Sequence, residues 1–205
     1  TILIINPNTA SEITDRIGAV AVSLYPNQSF RFATGRFGAR YISSRSAYAV
    51  AAHAALDAYA EHGTEVRCIL LACFGDPGLL AIREIAQVPV IGLAEHVCQF
   101  AKSTFGRFVI VTGGERWAPM LWEFLALVGL ENNCAGIRTV RKTGGEIAAD
   151  PHGAMAELLT ACKSAVDIDG ADAIILGGAG LVGLSDKLGE LVSKPVLCSV
   201  KIGIE

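Results

Sequence analysis

What most constrains this chain of 205 residues is that its sequence runs through the same pattern twice. After Gly106 the order of its apolar runs restarts. Phe108 to Thr112 repeats Ile2 to Asn6, Gly136-Ile137-Arg138-Thr139 repeats Arg31-Phe32-Ala33-Thr34, and Asp169-Gly170 repeats His62-Gly63. Ile174 to Gly177 repeats Ile69 to Ala72, and Lys194-Pro195-Val196-Leu197 repeats Val88-Pro89-Val90-Ile91. The offset stays within one residue of 106 at all five landmarks, a constancy that marks an internal duplication. Within each copy, apolar runs of strand length alternate with longer helical patterns, the signature of an α/β fold with parallel sheets. The repeat therefore predicts two pseudo-symmetric lobes, 1–104 and 105–205, each a parallel sheet flanked by helices, with the active site in the cleft between them. Ligands of open α/β sheets bind beyond the carboxyl ends of the strands, so the segments after Ile5, Ala72, Val111 and Gly177 are expected to line that cleft.

Composition narrows the class further. A chain that is 52% hydrophobic and 18% charged buries a core and is not disordered. Its 17 basic and 20 acidic residues are interspersed without a basic run, which excludes the phosphate-neutralising patch that nucleic acid needs. The longest apolar stretches, Ile69 to Gly75 and Ile174 to Leu184, fall short of the ~20 residues of a membrane span, so no membrane partner is expected. The sequence opens on Thr1-Ile2-Leu3-Ile4-Ile5 without a basic leader or cleavage site, which points to a cytoplasmic address. Six cysteines, at 68, 73, 98, 134, 162 and 198, have no CxxC spacing, so neither a metal cluster nor a disulfide framework is expected.

Cap signals place the helices. One is predicted from Ser11 to Leu24, capped by Thr9 or Ser11, and an Ala-rich one from Ser44 to Glu61, closed by a left-handed Gly63. After the strand Cys68 to Ala72, Asp76 reads as N-cap and Pro77 as first residue of a short helix to Ala86. A further helix is expected around Glu95 to Lys102, and its counterpart after Leu197 is cut short at Glu205.

Four segments stand at the strand ends. Cys73 follows a buried strand, and a helix starting at Asp76-Pro77 would aim its positive end at the thiol and favour the thiolate, making Cys73 a candidate base or nucleophile. The other reading of such a cysteine is a small buried hydrophobe, and it is assigned to Cys68, Cys98, Cys134 and Cys162, the last three placed in helices or loops. The matching place in the second copy is Gly177-Gly178-Ala179-Gly180, glycine-rich enough for close backbone approach to a ligand but lacking both GxGxxG and a Walker lysine. At the first-strand ends stand Asn6-Pro7-Asn8-Thr9 and Thr112-Gly113-Gly114-Glu115. Thr9 reads as a cap, while Asn8 and Thr112 are expected to face the cleft. The four histidines, at 53, 62, 96 and 152, form no triad pattern and take surface or capping roles.

With NPNT at 6–9, LLACFGDPGL at 70–79, VPVIGLAEH at 88–96, RFVIVTGGERWAP at 107–119 and AIILGGAGL at 173–181, the chain resembles the Asp/Glu/hydantoin racemase superfamily, in particular its hydantoin and allantoin racemase branch. The resemblance spans essentially the whole chain. It implies a cofactor-independent isomerase acting on a small molecule, an amino acid, hydantoin or related carboxylate, and it allows a homo-oligomer. It also implies a mechanism in which two cysteines, one per lobe, address the substrate α-carbon from opposite faces, with backbone N–H groups of both strand-to-helix turns holding the developing oxyanion. Carried over by position, Cys73 is the first thiol, and Asn8, Phe74, Gly75, Thr112, Gly113, Gly178 and Ala179 fall on the substrate-binding part of the pattern.

The second thiol of the pattern falls on Gly178, which has neither acid nor base. Four readings follow: a racemase whose second acid/base is another group, Cys198 or a water; a one-sided catalyst resembling arylmalonate decarboxylase, although there the single cysteine belongs to the other lobe; an introduced substitution at 178; or a binding protein that has lost turnover.

Overall fold

Residues 1–205 are described by a computed structural model. The chain forms β1 (Ile2–Asn6), α1 (Ser11–Leu24), β2 (Phe30–Thr34), α2 (Arg45–His62), β3 (Cys68–Leu71), α3 (Leu79–Ile85), β4 (Val90–Gly92) and α4 (Leu93–Phe105). The series then restarts with β5 (Phe108–Gly113), α5 (Trp117–Leu127), β6 (Cys134–Val140), α6 (Gly144–Ala149), α7 (Pro151–Asp167), β7 (Ala173–Gly177), a 3-10 turn (Ala179–Leu181), α8 (Ser185–Gly189), β8 (Val196–Cys198) and α9 (Ser199–Ile204). Two compact units result, Thr1–Glu95 with Gly203–Glu205, and His96–Ile202.

Each unit holds one four-stranded, all-parallel sheet, ordered β2-β1-β3-β4 in the first and β6-β5-β7-β8 in the second. The α/β class and the paired sheets are those the repeat predicts. Register repeats where the central strands end. Ile5 pairs with Leu71 in the first sheet, and Val111 pairs with Leu176 in the second. Counting two residues on from each inner partner makes Cys73 and Gly178 equivalent.

Central strands explain their own composition: with both faces covered, Ile2–Ile5 and Phe108–Val111 are nearly continuous apolar runs rather than alternating ones. In the first unit Leu3, Ile5, Ile69 and Leu71 pack with Ala55 and Ala58 of α2 and Leu79 and Ile82 of α3. In the second, Val109, Val111, Ile174 and Leu176 pack with Leu158 and Cys162 of α7 and Leu188 of α8. No helix is long and apolar enough to cross a membrane.

Several local expectations change. The N-cap of α1 is Ala10 with no side-chain cap; Asn8 Oδ1 accepts from Ala10 N at 2.9 Å, so an Asx turn does the work expected of Thr9 or Ser11. Gly63 closes α2 in the right-handed region, φ −76°, and is glycine because a Cβ there would meet the Tyr59 ring at 2.5 Å. Cys134 lies in a strand, β6, rather than in a helix or loop. The corner after β3 departs furthest: α3 begins at Leu79, its N-cap is Gly78 at φ 87°, and Asp76 and Pro77 lie outside it.

Candidate active site

In the first unit the site is a tight turn. Cys73 follows the end of β3, and the carbonyl of Cys73 accepts from Asp76 N at 3.0 Å. Asp76 takes the left-handed conformation, φ 53°, and its side chain turns away from α3. Oδ1 accepts from Ala94 N at 2.9 Å and Oδ2 from Glu95 N at 2.8 Å, so Asp76 caps α4, 18 residues further on, instead of the helix beside it. That reach depends on Gly92, where a Cβ would overlap Asp76 Oδ2 and come within 2.6 Å of its Cγ and of Leu79. A second tie comes from α2: Tyr48 donates its phenolic O–H to the Gly75 carbonyl at 2.6 Å.

The electrostatics of this turn oppose the expected thiolate. Cys73 is partly accessible, yet desolvation holds its thiol far above the ordinary range and the Asp76 carboxylate pushes it the same way. The predicted lowering fails first because the thiol is desolvated, and then because no helix begins at Asp76-Pro77 to supply a positive end while the Asp76 carboxylate stands on the same turn. Asp76 itself is pushed up to about 7 by burial, against the pull of its two N–H donors. Tyr48 is raised too, by burial and then by Cys73 and Asp76, and stays a neutral donor. The N–H groups of Phe74 and Gly75 take part in no backbone bond within the turn, while the Phe74 ring is buried.

The second unit repeats the turn with different chemistry. The carbonyl of Gly178 accepts from Leu181 N at 3.1 Å, the same three-residue closure that Cys73 and Asp76 make. Gly178 sits at φ 112°, ψ 143°, a region only glycine occupies without strain. A Cβ there would meet nothing closer than Leu181 Cδ1 at 3.9 Å and Thr112 Oγ1 at 4.0 Å, so space exists where the side chain is missing. Gly178 N donates to Ser199 Oγ at 3.1 Å, and Ser199 is fully buried at the start of α9. Ser199 is therefore the hydroxyl beside Gly178, whereas Cys198, on β8, pairs with Leu176 of β7.

Asn8 Oδ1 is engaged by Asn6 Nδ2 and Ala10 N, both at 2.9 Å, which leaves its own amide N–H groups as the outward donors. Behind it, Asn6 also bonds Thr14 Oγ1 at 3.0 Å and pins the β1–α1 loop. Thr112, 5% exposed, donates its hydroxyl to the Gly177 carbonyl at 2.7 Å and can only accept from anything else. Gly113 packs against Ile147 and the Lys142 carbonyl, leaving no room for a Cβ. Ala179 opens the 3-10 turn with its N–H free of backbone partners.

The model of the family described as Asp/Glu/Hydantoin racemase matches residues 2–205. The chain belongs to the Asp/Glu/hydantoin racemase family. Among curated relatives, the hydantoin racemase of Paenarthrobacter aurescens is 33% identical over 98% of this chain and 88% of its own. Among solved structures, the allantoin racemase of Klebsiella pneumoniae superposes with a TM-score of 0.90 at 33% identity, covering 99% of this chain and 84% of that one. The allantoin racemase of Pseudomonas fluorescens gives 0.94 at 27% identity, covering 99% and 87%.

Two residues that tie these turns to other elements, Tyr48 and Ser199, have no signal in the sequence. Tyr48 sits in an Ala-rich helix with nothing local to mark it. Ser199 reads as an ordinary residue after a strand, and its link to Gly178 spans 21 positions. Asp76 was visible, but as the cap of the wrong helix. The one signal that pointed toward it was Gly92, a glycine ending a buried strand.

Proposed function

We propose that this protein is a cofactor-independent racemase or epimerase that moves the α-proton of a hydantoin-like substrate, with Cys73 as the thiol acid/base. The observation that carries this reading is the equivalence of two strand-end turns, of which one bears a thiol and both leave backbone N–H groups for an oxyanion. The groups offered to a substrate, the Asn8 amide, the Cys73 thiol and the backbone N–H groups of Phe74 and Ala179, include no cation. Neutral donors of this kind suit an uncharged cyclic ureide better than a free dicarboxylate.

In the proposed step the Cys73 thiolate takes the α-proton, the electron pair is delocalised onto the adjacent carbonyl oxygen, and the N–H groups of Phe74 or Ala179 hydrogen-bond that oxygen. Because the resting thiol is protonated, Cys73 must lose its proton to solvent before it can act as base, whereas the resting form is the one that donates to a carbanion. Gly178 supplies no second thiol, so return of a proton to the other face falls to water and is the slower event. The test is polarimetry on each enantiomer of a 5-substituted hydantoin with the native chain and Cys73→Ser: measurable racemisation that drops by orders of magnitude in the variant supports the reading, and retained turnover in Cys73→Ser sinks it.

A single-thiol lyase is the second reading, favoured by the absence of any acid or base at position 178. There a malonate would lose CO2 and Cys73 would protonate the resulting carbanion from one face. CO2 release without hydantoin racemisation would select it. A ligand-binding homologue without turnover would show thermal stabilisation by ligand and neither reaction.

A further inference from the structure

A buried carboxylate stands on the same turn as the thiol, and the reaction proposed above does not use it. Asp76 is 3% exposed, its backbone is held in a left-handed conformation, and both carboxylate oxygens are bonded to the first N–H groups of α4. A glycine at 92 leaves space for no other reason visible in the packing than that this carboxylate and Leu79 fill it. An ordinary N-cap is the residue next to its own helix. This one crosses 18 residues to fasten the Cys73 turn to a different element.

The second unit fastens its turn in the opposite sense: Ser199, the residue that opens α9 as Leu93 opens α4, accepts from the Gly178 N–H. Its tie is neutral. Only the unit that carries the thiol carries the anion.

We infer that Asp76 is a positioning residue for Cys73: its carboxylate clamps the Cys73 turn onto α4 and sets a negative charge on the turn that bears the thiol. The other titratable or charged groups that act on the pair are Tyr48 from α2, Arg83 from α3 and Glu95 from α4, and Arg83 pairs with Glu95 at 2.5 Å. Asp76 is the one among them whose field on Cys73 comes from the same turn. The inference rests on the reading of Cys73 as the acting thiol, and its consequence is that the protein keeps a protonated Cys73 at rest, a donor first and a base second.

The test is the rate of Cys73 alkylation by iodoacetamide between pH 7 and 10, resolved from the other five cysteines by peptide mass spectrometry. Asp76→Asn keeps the size and removes the charge; Asp76→Glu keeps the charge. Alkylation at pH 8.5 is expected to rise about tenfold in Asp76→Asn, the equivalent of about one unit in thiol pKa, and to stay within about threefold of native in Asp76→Glu. A native rate in Asp76→Asn overturns the inference, and so does an equal rise in both variants, which would assign the effect to lost packing. If Asp76→Asn does not fold, the native chain tests the same charge between pH 6 and 8: the logarithm of the Cys73 alkylation rate should rise with a slope below one as Asp76 ionises around 7, and a slope of one throughout overturns the inference. None of these readings needs turnover, so a protein that fails to racemise hydantoins still returns an answer about Asp76, and a failed alkylation test leaves the racemase proposal standing.

Discussion

Replacing Gly178 by cysteine puts a thiol at the position equivalent to Cys73, and the structure sets both its gain and its cost. The gain is chemical: a positioned general acid or base contributes typically about 10²–10⁴-fold, so racemisation of a 5-substituted hydantoin should rise by a factor in that range. Space is no obstacle, since the nearest atoms to a new Cβ are Leu181 Cδ1 at 3.9 Å and Thr112 Oγ1 at 4.0 Å. Backbone conformation is the cost. At φ 112°, ψ 143° an L-residue is strained by roughly 1–3 kcal/mol. For a chain of this size each kcal/mol lowers Tm by about 2–4 °C, so the variant should melt roughly 2–12 °C below native. Gly178→Ala carries the same strain without the thiol and serves as the control. The assay is initial rate by polarimetry, with Tm by circular dichroism. A folded Gly178→Cys that racemises no faster than Gly178→Ala would refute the assignment of these two turns as the paired acid/base positions.

Three further outcomes follow from the geometry. Gly92→Ala pushes a methyl group into the Asp76 carboxylate and Leu79, and is expected to cost about 2–4 kcal/mol through overpacking and a weakened α4 cap, read as a lower urea midpoint with unchanged slope; a native midpoint would show that the Asp76 contact is dispensable. Tyr48→Phe leaves the Gly75 carbonyl without its donor and should cost about 1 kcal/mol in the same experiment while lowering racemisation more than stability alone explains; an unchanged rate would make Tyr48 a packing residue only. Asp76 titrates near 7 in the folded chain and near 4 when unfolded, so the folded state binds more protons between those values. Its contribution to stability should therefore decline as pH rises from about 4 to about 7 and be constant above, and Asp76→Asn should remove that slope from the urea-unfolding profile. A slope that survives the substitution belongs to another group.

How much of this was legible in the sequence depends on how far apart the interacting residues lie. The repeat, the α/β class, the strands and Cys73 at the end of β3 are all local patterns or copies of them, and a sheet buried on both faces announces itself in runs such as Ile2–Ile5. The turn at Cys73 was legible as special but not in its geometry. Asp76 followed by Pro77 is a strong helix-start signal, yet the chain gives Asp76 a left-handed conformation and sends its carboxylate to Ala94 and Glu95. A tertiary contact overrode the local preference and reversed the expected sign of the charge effect on the thiol. Tyr48 on Gly75 and Ser199 on Gly178 span 27 and 21 positions and carry no motif, so only the folded chain reveals them. The absence of a thiol at Gly178 was readable directly; that the space for one is open, and that the backbone there is hostile to any side chain, was not.

The central claim, that Cys73 exchanges the substrate α-proton from one face, is tested most directly by NMR in D2O on each enantiomer of a 5-substituted hydantoin separately, with the native chain and Cys73→Ser. Deuterium should wash into the α-position of one enantiomer faster than optical rotation is lost, and this exchange should vanish in Cys73→Ser. Equal exchange of both enantiomers, or exchange that persists without the thiol, would contradict it.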